Sequence, residues 1–336
     1  MEPPRSERFH AVWRATFNSH EAQVALAVAL AQSQFNAILS EIVRMTYNPR
    51  VKEVDLDKIN GETAGPGRDF LAAEVPLEIR VEDRSVAVVM RTPGDDHELA
   101  AGFLVTEGLV RQRADIAEIH HVPHCPRPGG AASTAANGAD SNVIQVKLAA
   151  PETFDPGRLT RHVFTSSSCG ICSKASIEAV RVQFPAITAR CEVSAEFLRG
   201  LPARLASAQE TFQRTGGLHA CALFDLEGNL LALREDVGRH NALDKITGWA
   251  LLENRLPLDR HVLLLSGRAS FEMMQKALAA GVPIVAAISA PSSLAVEFAQ
   301  ESGQTLVGFL RGDKMNVYSG TSRIASPPPP RYGASL

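Results

Sequence analysis

The sequence has little of what marks a disulfide-rich, membrane-spanning or nucleic-acid-binding protein. Its 336 residues include five cysteines, an odd and sparse set that fits a reducing compartment better than a disulfide framework. The formal net charge is −3, so no excess of either sign predicts a nucleic acid or membrane partner. No apolar run approaches the roughly 20 residues of a membrane-spanning helix, and the N-terminus lacks the regions of a secretion signal. These absences predict a cytoplasmic protein.

The pattern of the chain predicts two folded domains between two extensions. An apolar pattern of helical spacing over residues 21–45 and a Gly- and Pro-rich linker at 60–67 predict an N-terminal extension that is helical or disordered. A hairpin over 76–91, a helix over 97–110 and a strand over 142–148 then predict a smaller α+β domain. The predicted divisions are 1–66 for the extension, 67–165 for the smaller domain, 166–322 for the larger domain and 323–336 for a disordered tail.

The larger domain alternates strands and helices. A helix over 194–214 and a hairpin over 219–234 precede apolar strands near 262–266, 284–288 and 305–310, with helices between them. Such alternation predicts an α/β fold with a mostly parallel sheet, in which ligands bind at the carboxyl ends of the strands. The order of elements is similar to the three-layer cytidine-deaminase-like fold. A zinc deaminase has His-x-Glu or Cys-x-Glu after the hairpin and Pro-Cys-x-x-Cys at the next strand end. Neither cysteine of the second motif is present here, so the resemblance implies the fold without its metal.

A thiol segment precedes the larger domain's first helix. Cys169 and Cys172 follow a run of hydroxyl residues, and residues 174–184 have the apolar spacing of a helix. Cys169 would then lie at or just before a helix N-terminus, where unpaired N–H groups and the nearby Lys174 favour a thiolate. A thiolate at cellular pH is a nucleophile. We therefore predict that Cys169 is reactive.

Three other roles are open to these two thiols. Zinc needs four ligands, and the second half of such a site would have to come from His120, His121, His124 and Cys125. A redox dithiol would follow the first strand of a βαβ unit, which the pattern upstream does not supply. The thiols could also be buried core residues, which is what we predict for Cys191 and Cys221.

Five motifs together resemble the FdhD/NarQ family of formate dehydrogenase accessory sulfurtransferases. They occur in the family's order over about residues 67–322: DDHELAAGFLVTEG from Asp95, SCGIC from Ser168, REDVGRHNALDK from Arg234, SGRASFE from Ser266 and GFLRGDK from Gly308. The first 60-odd residues and the Gly- and Ala-rich insertion near residue 130 lie outside the resemblance.

The resemblance implies a function and a set of site residues. Members of the family accept sulfur from a cysteine desulfurase as a persulfide and pass it to a molybdenum or tungsten cofactor, Mo-bis-molybdopterin guanine dinucleotide, for formate dehydrogenase. By this resemblance Cys169 carries the persulfide and Cys172 assists its release. The resemblance further implies a homodimer, and it implies that the cofactor binds a segment made of Phe309, Leu310, Arg311, Gly312, Asp313 and Lys314.

Further residues lie where a ligand would bind if the fold is right, and each also has a structural interpretation. Arg311 and Lys314 have the fork and the charge that a pyrophosphate-containing ligand requires, and with the resemblance we favour this interpretation over a solvated strand end. The other candidates are Arg234, Asp236, Arg239 and His240 at a helix start, and Arg268, Ser292 and Ser293 at strand ends. His97 and Glu98 are predicted to begin a solvated helix. A non-catalytic cofactor chaperone is the alternative function.

Overall fold

A computed structural model of the protein describes residues 48–61, 63–122, 142–154 and 184–325. The helix predicted over 21–45, the thiol segment and the helix predicted over 174–184 lie outside these residues. The described part contains a six-stranded sheet, a four-stranded sheet, two two-stranded sheets and six α-helices. Both larger sheets belong to one compact unit, Arg50–Leu336.

The six-stranded central sheet has the order β13-β12-β11-β10-β8-β9. Its strands are β8 (His219–Asp225), β9 (Leu230–Asp236), β10 (His261–Leu265), β11 (Ile284–Ala287), β12 (Thr305–Arg311) and β13 (Lys314–Ser319). The strands predicted from the apolar runs are therefore confirmed, and β13 was missed.

The prediction of a mostly parallel sheet is wrong. Only β10–β11 and β11–β12 pair in parallel, whereas β12–β13, β10–β8 and β8–β9 are antiparallel. The physical reason is that tight turns close a hairpin at each edge, and two strands joined by a short turn must run in opposite directions. The sheet is mixed, with a parallel centre.

Helices cover both faces of the central sheet. The helices are α1 (Asp96–Thr106), α2 (Ala195–Ala208), α3 (Glu210–Thr215), α4 (Arg239–Leu252), α5 (Phe271–Ala279) and α6 (Ser293–Glu301). Apolar side chains of α4, α5 and α6 share one core with one face of the sheet, and those of α2 share another core with the opposite face. This arrangement gives the three predicted layers. The more specific likeness to the cytidine-deaminase fold stays a prediction.

The helix predicted over 194–214 is interrupted at Gln209. Its backbone (φ −84°, ψ 70°) lies outside the helical region and separates α2 from α3. The buried carboxylate of Glu235 accepts hydrogen bonds from the backbone N–H groups of Thr211 and Phe212. The carboxylate of a β9 residue thus stabilises the start of α3. This contact is distant in sequence, so no local pattern predicts the interruption.

The four-stranded sheet has the order β4-β3-β6-β5 and forms a second core with α1. Its strands are β3 (Val75–Val81), β4 (Arg84–Arg91), β5 (Ile116–His121) and β6 (Val143–Leu148), and a short 3₁₀ turn, Arg113–Asp115, precedes β5. The predicted hairpin, helix and strand are confirmed as the α+β composition of this part. The predicted domain boundaries themselves stay predictions.

Helices α1 and α4 cross at two glycines and join the two cores. A Cβ atom at Gly102 would lie 1.8 Å from the backbone oxygen of Asp244, and one at Gly248 would lie 1.8 Å from that of Glu98. No side chain fits either position, so the helix backbones are in direct contact. The crossing fixes the start of α4 relative to the smaller sheet.

The remaining strands correct two predictions. The linker predicted at 60–67 is wrong, because β1 (Val51–Asn60) and β2 (Thr63–Ala72) form a two-stranded ribbon through this region. Each strand of such a ribbon is an edge, where glycine and proline are tolerated. Residues 324–325 of the predicted disordered tail form β14 (Ile324–Ala325), which pairs with β7 (Val193–Ser194), and two 3₁₀ turns lie at Pro151–Thr153 and Thr321–Arg323.

Among the described residues, none of the helices combines the length and the apolar character required to cross a bilayer.

Candidate functional site at the rim of the central sheet

Several chain segments meet at the carboxyl-terminal ends of the parallel strands of the central sheet, which we call the rim. The parallel strands β10, β11 and β12 all end there, followed by residues 266–270, 288–292 and 312–313. Because β8 runs antiparallel to β10, its first residue His219 lies at the same edge, as does the end of β9. The start of α4 therefore also lies at the rim. A bridge between Ala269 and Pro291 holds two of the loops together.

The predicted cofactor-binding segment, residues 309–314, lies at this rim. It contains the end of β12, a turn at Gly312 with φ 55°, and the first residue of β13. Arg311 and Lys314 lie opposite each other on the two strands of the hairpin. Both side chains are exposed, as is that of Asp313. The Arg311 Nε donates to the carbonyl oxygen of Ile288 at 2.9 Å. The segment thus offers two adjacent cations to solvent.

Two residues of the segment differ sharply in what they offer a ligand. Leu310 is fully buried in the core beneath α2, so its side chain contacts no ligand at the rim. Phe309 is 41% exposed and has a φ of 51°, in the left-handed region that a bulky residue rarely adopts. A bulge in the β12–β13 pairing accompanies this conformation. Strained backbone of this kind concentrates at binding sites, because the surrounding structure must hold it in place.

Two of the candidate residues at the start of α4 are structural. Arg234 forms a two-armed ion pair with Glu98 of α1, with Nη2 donating to Oε1 at 2.6 Å. Asp236 pairs with Lys245 at 2.8 Å, and both side chains have zero exposed area. Backbone N–H groups of Thr92 and Gly238 also donate to Asp236. These charges are satisfied within the protein, and they attach the start of α4 to the smaller sheet.

A second group of candidates is not satisfied in this way. Arg239 Nε, His240 Nδ1 and Ser270 Oγ are buried atoms with no hydrogen-bond partner among the described residues. His240 is 6% exposed in its side chain, and its Nε2 lies 2.7 Å from Oε2 of Glu272 in the first turn of α5. Burial lowers the pKa of the neighbouring His219, and Arg239, His240 and Arg268 lower it further. The sequence indicated Arg239, His240 and Arg268, but it missed His219, Ser270 and Glu272.

The histidines of α1 and β5 form a separate cluster. The rings of His97 and His121 lie 5.5 Å apart, and His121 Nε2 is 3.6 Å from a carboxylate oxygen of Asp96, which also pairs with the buried Arg91. Partial desolvation by neighbouring protein atoms, and then His121, lower the pKa of His97. The prediction of a solvated helix start still fits His97, which keeps an exposed surface, but not Glu98, which is engaged by Arg234.

Two of the five cysteines fall within the described residues. Cys191 and Cys221 are both free and buried, as predicted. Burial raises the pKa of each thiol, and most strongly that of Cys221, so neither offers a thiolate at neutral pH. Cys169 and Cys172 lie outside the described residues, so their predicted roles stay predictions. Within the described part no group of three His, Cys, Asp or Glu side chains has a metal-binding arrangement.

The sequence model of the FdhD/NarQ family matches residues 72–325. The chain is 52% identical over 260 residues to the sulfur carrier protein FdhD of Streptomyces coelicolor, covering 76% of this chain and 89% of the relative. It is 48% identical over 281 residues to that of Mycobacterium tuberculosis, covering 83% and 98%, and 40% identical over 278 residues to that of Saccharolobus solfataricus, covering 82% and 98%.

A crystal structure gives the same result. A protein from Desulfotalea psychrophila, described as a formate dehydrogenase accessory protein, superimposes with a TM-score of 0.63 at 25% identity. The match covers 82% of this chain and all of that one. The fold and the sequence thus agree on a class of sulfur-handling accessory proteins. The chain belongs to the FdhD/NarQ family.

Proposed function

We propose that this protein is a sulfurtransferase that carries sulfur from a cysteine desulfurase to Mo-bis-molybdopterin guanine dinucleotide, as is required for formate dehydrogenase activity. The observation that carries the proposal is the 309–314 segment, exposed except at Leu310, at the rim of a chain that belongs to the FdhD/NarQ family. The cofactor is cargo, bound and passed on. We expect the protein to act as a homodimer in the cytoplasm.

The first chemical step is thiol exchange at Cys169. Its thiolate attacks the outer sulfur of the desulfurase persulfide, a new S–S bond forms on Cys169, and the desulfurase cysteine leaves as a thiolate. No external oxidant or reductant is needed, because one S–S bond replaces another. The reaction requires a thiolate, which the buried Cys191 and Cys221 cannot supply.

Release of the sulfur uses the second thiol. Attack of the Cys172 thiolate on the inner sulfur of the Cys169 persulfide forms a disulfide between the two residues and expels the outer sulfur as hydrosulfide. The hydrosulfide takes the electron pair of the broken bond and becomes a ligand of the cofactor's metal. A cellular dithiol then reduces the disulfide and resets the carrier.

The rim offers groups suited to the cofactor's ends. Arg311 and Lys314 provide charge and a planar fork for phosphate oxygens. Phe309 presents an exposed ring beside them, against which a planar guanine or pterin ring can stack. Since Leu310 is buried, we assign it to the core and not to the ligand.

Mass spectrometry tests the proposal directly. After incubation with a cysteine desulfurase and cysteine, we expect one or more sulfur atoms on the peptide containing Cys169, removable by a thiol reductant. The Cys169→Ala protein should take up none there. The Cys172→Ala protein should load sulfur but release it slowly.

The Cys169→Ala variant distinguishes the sulfurtransferase from the alternative function. A non-catalytic chaperone would only bind and deliver the cofactor, so Cys169→Ala would still activate formate dehydrogenase. A sulfurtransferase would lose that activation while it retains cofactor binding. Absence of sulfur on wild-type Cys169, with the cofactor still bound, would favour the chaperone.

A further inference from the structure

The ribbon of β1 and β2 is largely exposed and joins no core. None of its residues belongs to the apolar clusters that the described chain buries. The side chains of β1 are exposed except for those of Val51, Val54 and Leu56, which are half-buried. Phe70 of β2 lies under the guanidinium of Arg214 in α3, 4.9 Å from the centre of its ring. Because a two-stranded hairpin alone is at most marginally stable, a ribbon of this length calls for a further partner.

The pairing of the two strands shows which backbone groups point away from the ribbon. The Ala73 N–H donates to the carbonyl oxygen of Arg50 at 2.9 Å, and the register from there to the turn has no shift. In an antiparallel pair, residues that exchange hydrogen bonds alternate with residues whose N–H and C=O groups point outward. The even-numbered residues of β1 therefore bond to β2, and the odd-numbered ones, which include Glu53, Asp55 and Asp57, form the outer edge. Within the described part of the chain no third strand pairs with this edge.

The two edges of the ribbon differ in the hydrogen bonds they can offer. On β2 the outward positions include Pro66, which lies opposite Asp57 and has no N–H to donate, with Gly65 and Gly67 on either side. Proline in such a position blocks an exposed edge. Strand β1 contains neither proline nor glycine, so its edge presents an unbroken row of donors and acceptors. A further strand can therefore pair along the whole of β1 but not along the whole of β2.

The β1 edge is acidic on one face. Glu53, Asp55 and Asp57 alternate along the strand and so share that face. The guanidinium of Arg68 on β2 lies 3.3 Å from carboxylate oxygens of both Glu53 and Asp55, and the side chain of Asp55 is still 88% exposed. The two lysines of β1 occupy even-numbered positions and lie on the opposite face. One cation thus serves two of three carboxylates, and the face stays negative.

This charge pattern disfavours a second copy of β1 as the partner. Strands from two copies related by a two-fold axis would pair antiparallel, and the central register places Asp55 opposite Asp55. Smaller shifts place Glu53 or Asp57 opposite a carboxylate, and larger shifts bring Lys52 or Lys58 opposite its own copy. Like charges directly opposite each other destabilise a sheet. The edge is therefore better suited to a strand of opposite charge.

We propose that the outer edge of β1 is a docking strand for an extended segment of another protein, in which lysine or arginine alternates with apolar residues. Side chains on one face of any strand repeat every 6.6 Å or so, roughly, so cations at every second position of the added strand each face a carboxylate. Its apolar residues then lie on the other face, beside Val54 and Leu56. Charges of either sign protect an edge from aggregation, whereas a single sign along one face selects a basic partner.

A synthetic peptide with blocked ends, in which lysine alternates with valine over the length of β1, tests the docking strand. Fluorescence anisotropy with the full chain measures its binding. We expect a control peptide of the same composition, with all its lysines contiguous, to bind about 5-fold more weakly or worse, because its cations cannot each face a carboxylate. The combined Glu53→Gln, Asp55→Asn and Asp57→Asn variant should bind the alternating peptide roughly 10-fold more weakly than wild type. These three side chains are exposed, so the variant folds as the wild type does.

Two proline substitutions separate strand pairing from simple attraction of charge. Asp55→Pro removes an outward N–H of β1 without removing a bond to β2, so it should bind the alternating peptide more weakly than Asp55→Asn does. Ala64→Pro removes an outward N–H from the β2 edge and should bind as the wild type does. Amide NMR signals of residues 51–72 check that each variant keeps the ribbon paired.

Three results would each overturn the docking strand. They are equal binding of the two peptides, equal binding by Asp55→Pro and Asp55→Asn, and a loss in Ala64→Pro as large as that in Asp55→Pro. Sedimentation of Asp55→Pro should show the same oligomeric state as wild type. A change of oligomeric state without peptide binding would assign the edge to a second copy instead. None of these results depends on the sulfur chemistry, so a failure to load Cys169 would leave this inference standing.

Discussion

The buried polar residues in the first and second turns of α4 differ in their hydrogen-bond partners. In its second turn, Lys245 pairs with Asp236, and Asp244 accepts from both Thr106 and Lys276 at 2.8–2.9 Å. In its first turn, Arg239 Nε and His240 Nδ1 are buried and have no hydrogen-bond partner among the described residues. The comparison separates polar residues that hold the fold together from polar residues that contribute less to it.

The comparison is tested most strongly by Lys245→Met. Removal of the amine leaves the carboxylate of Asp236 charged and fully buried, so we expect a loss of about 3–5 kcal/mol in the free energy of unfolding. Denaturant titration measures it. Lys147→Met, which removes the ion-pair partner of the exposed Asp83, is the control and should change stability far less. A Lys245→Met protein as stable as the control would mean that this pair is not structural.

Two hydroxyl deletions sharpen the comparison. Thr106 Oγ1 is bonded to Asp244 and Lys276, so Thr106→Val should cost about 1–3 kcal/mol by leaving buried charges short of a partner. Ser270 Oγ has no hydrogen-bond partner in the part of the chain that the structure describes, so Ser270→Ala should leave the stability of the protein unchanged. The same denaturant titration compares the two. A loss at Ser270 as large as that at Thr106 would contradict the distinction.

The smallest expected effect is on the dependence of stability on pH. Burial lowers the pKa of His219 and of His261 below the ordinary value of 6.5, so the unfolded chain binds protons that the folded chain does not. Stability should therefore fall as the pH drops through 6.5. The groups that act on His219 are Arg239, His240 and Arg268, which lower its pKa further, and Asp236, which opposes them.

Thermal denaturation between about pH 7.5 and about pH 5.5 measures this slope. His219→Gln should make the slope shallower, because it removes a group whose pKa is lowered in the folded chain. A slope that His219→Gln leaves unchanged would show that His219 does not contribute. His261→Gln should also make the slope shallower, and the double variant should be shallower than either single variant, since the two histidines lie at opposite ends of the sheet.

Local pattern predicted much of the fold. The apolar runs gave β10, β11 and β12, and the alternation around Asp83 gave the β3–β4 hairpin. Strand β13 was missed although Met315 and Val317 alternate with polar residues, a signal that was present. The prediction of a mostly parallel sheet was wrong because apolar runs carry no information on which neighbour a strand pairs with.

The site was less predictable because its parts meet only in the folded chain. Asp236 and Lys245 belong to one motif, yet nothing in the sequence tells that they neutralise each other while Arg239 has no ion-pair partner among the described residues. His219 and Ser270 come from separate strand ends, and only the topology brings them to Arg239. Residues 309–314 were indicated by resemblance, but the burial of Leu310 depends on α2, which lies about a hundred residues earlier in the chain.

The contact of α1 with α4 limits how this protein can move. With Gly102 against Asp244 and Gly248 against Glu98, the two backbones cannot slide past each other without a collision. Arg234 of β9 bonds to Glu98, and Lys276 of α5 bonds to Thr106, so two further elements hold α1 in place. Among the described residues, α1 and the helix layer are therefore expected to move together. The proposed cargo would then enter and leave by rearrangement at the rim and not by separation of α1 from α4.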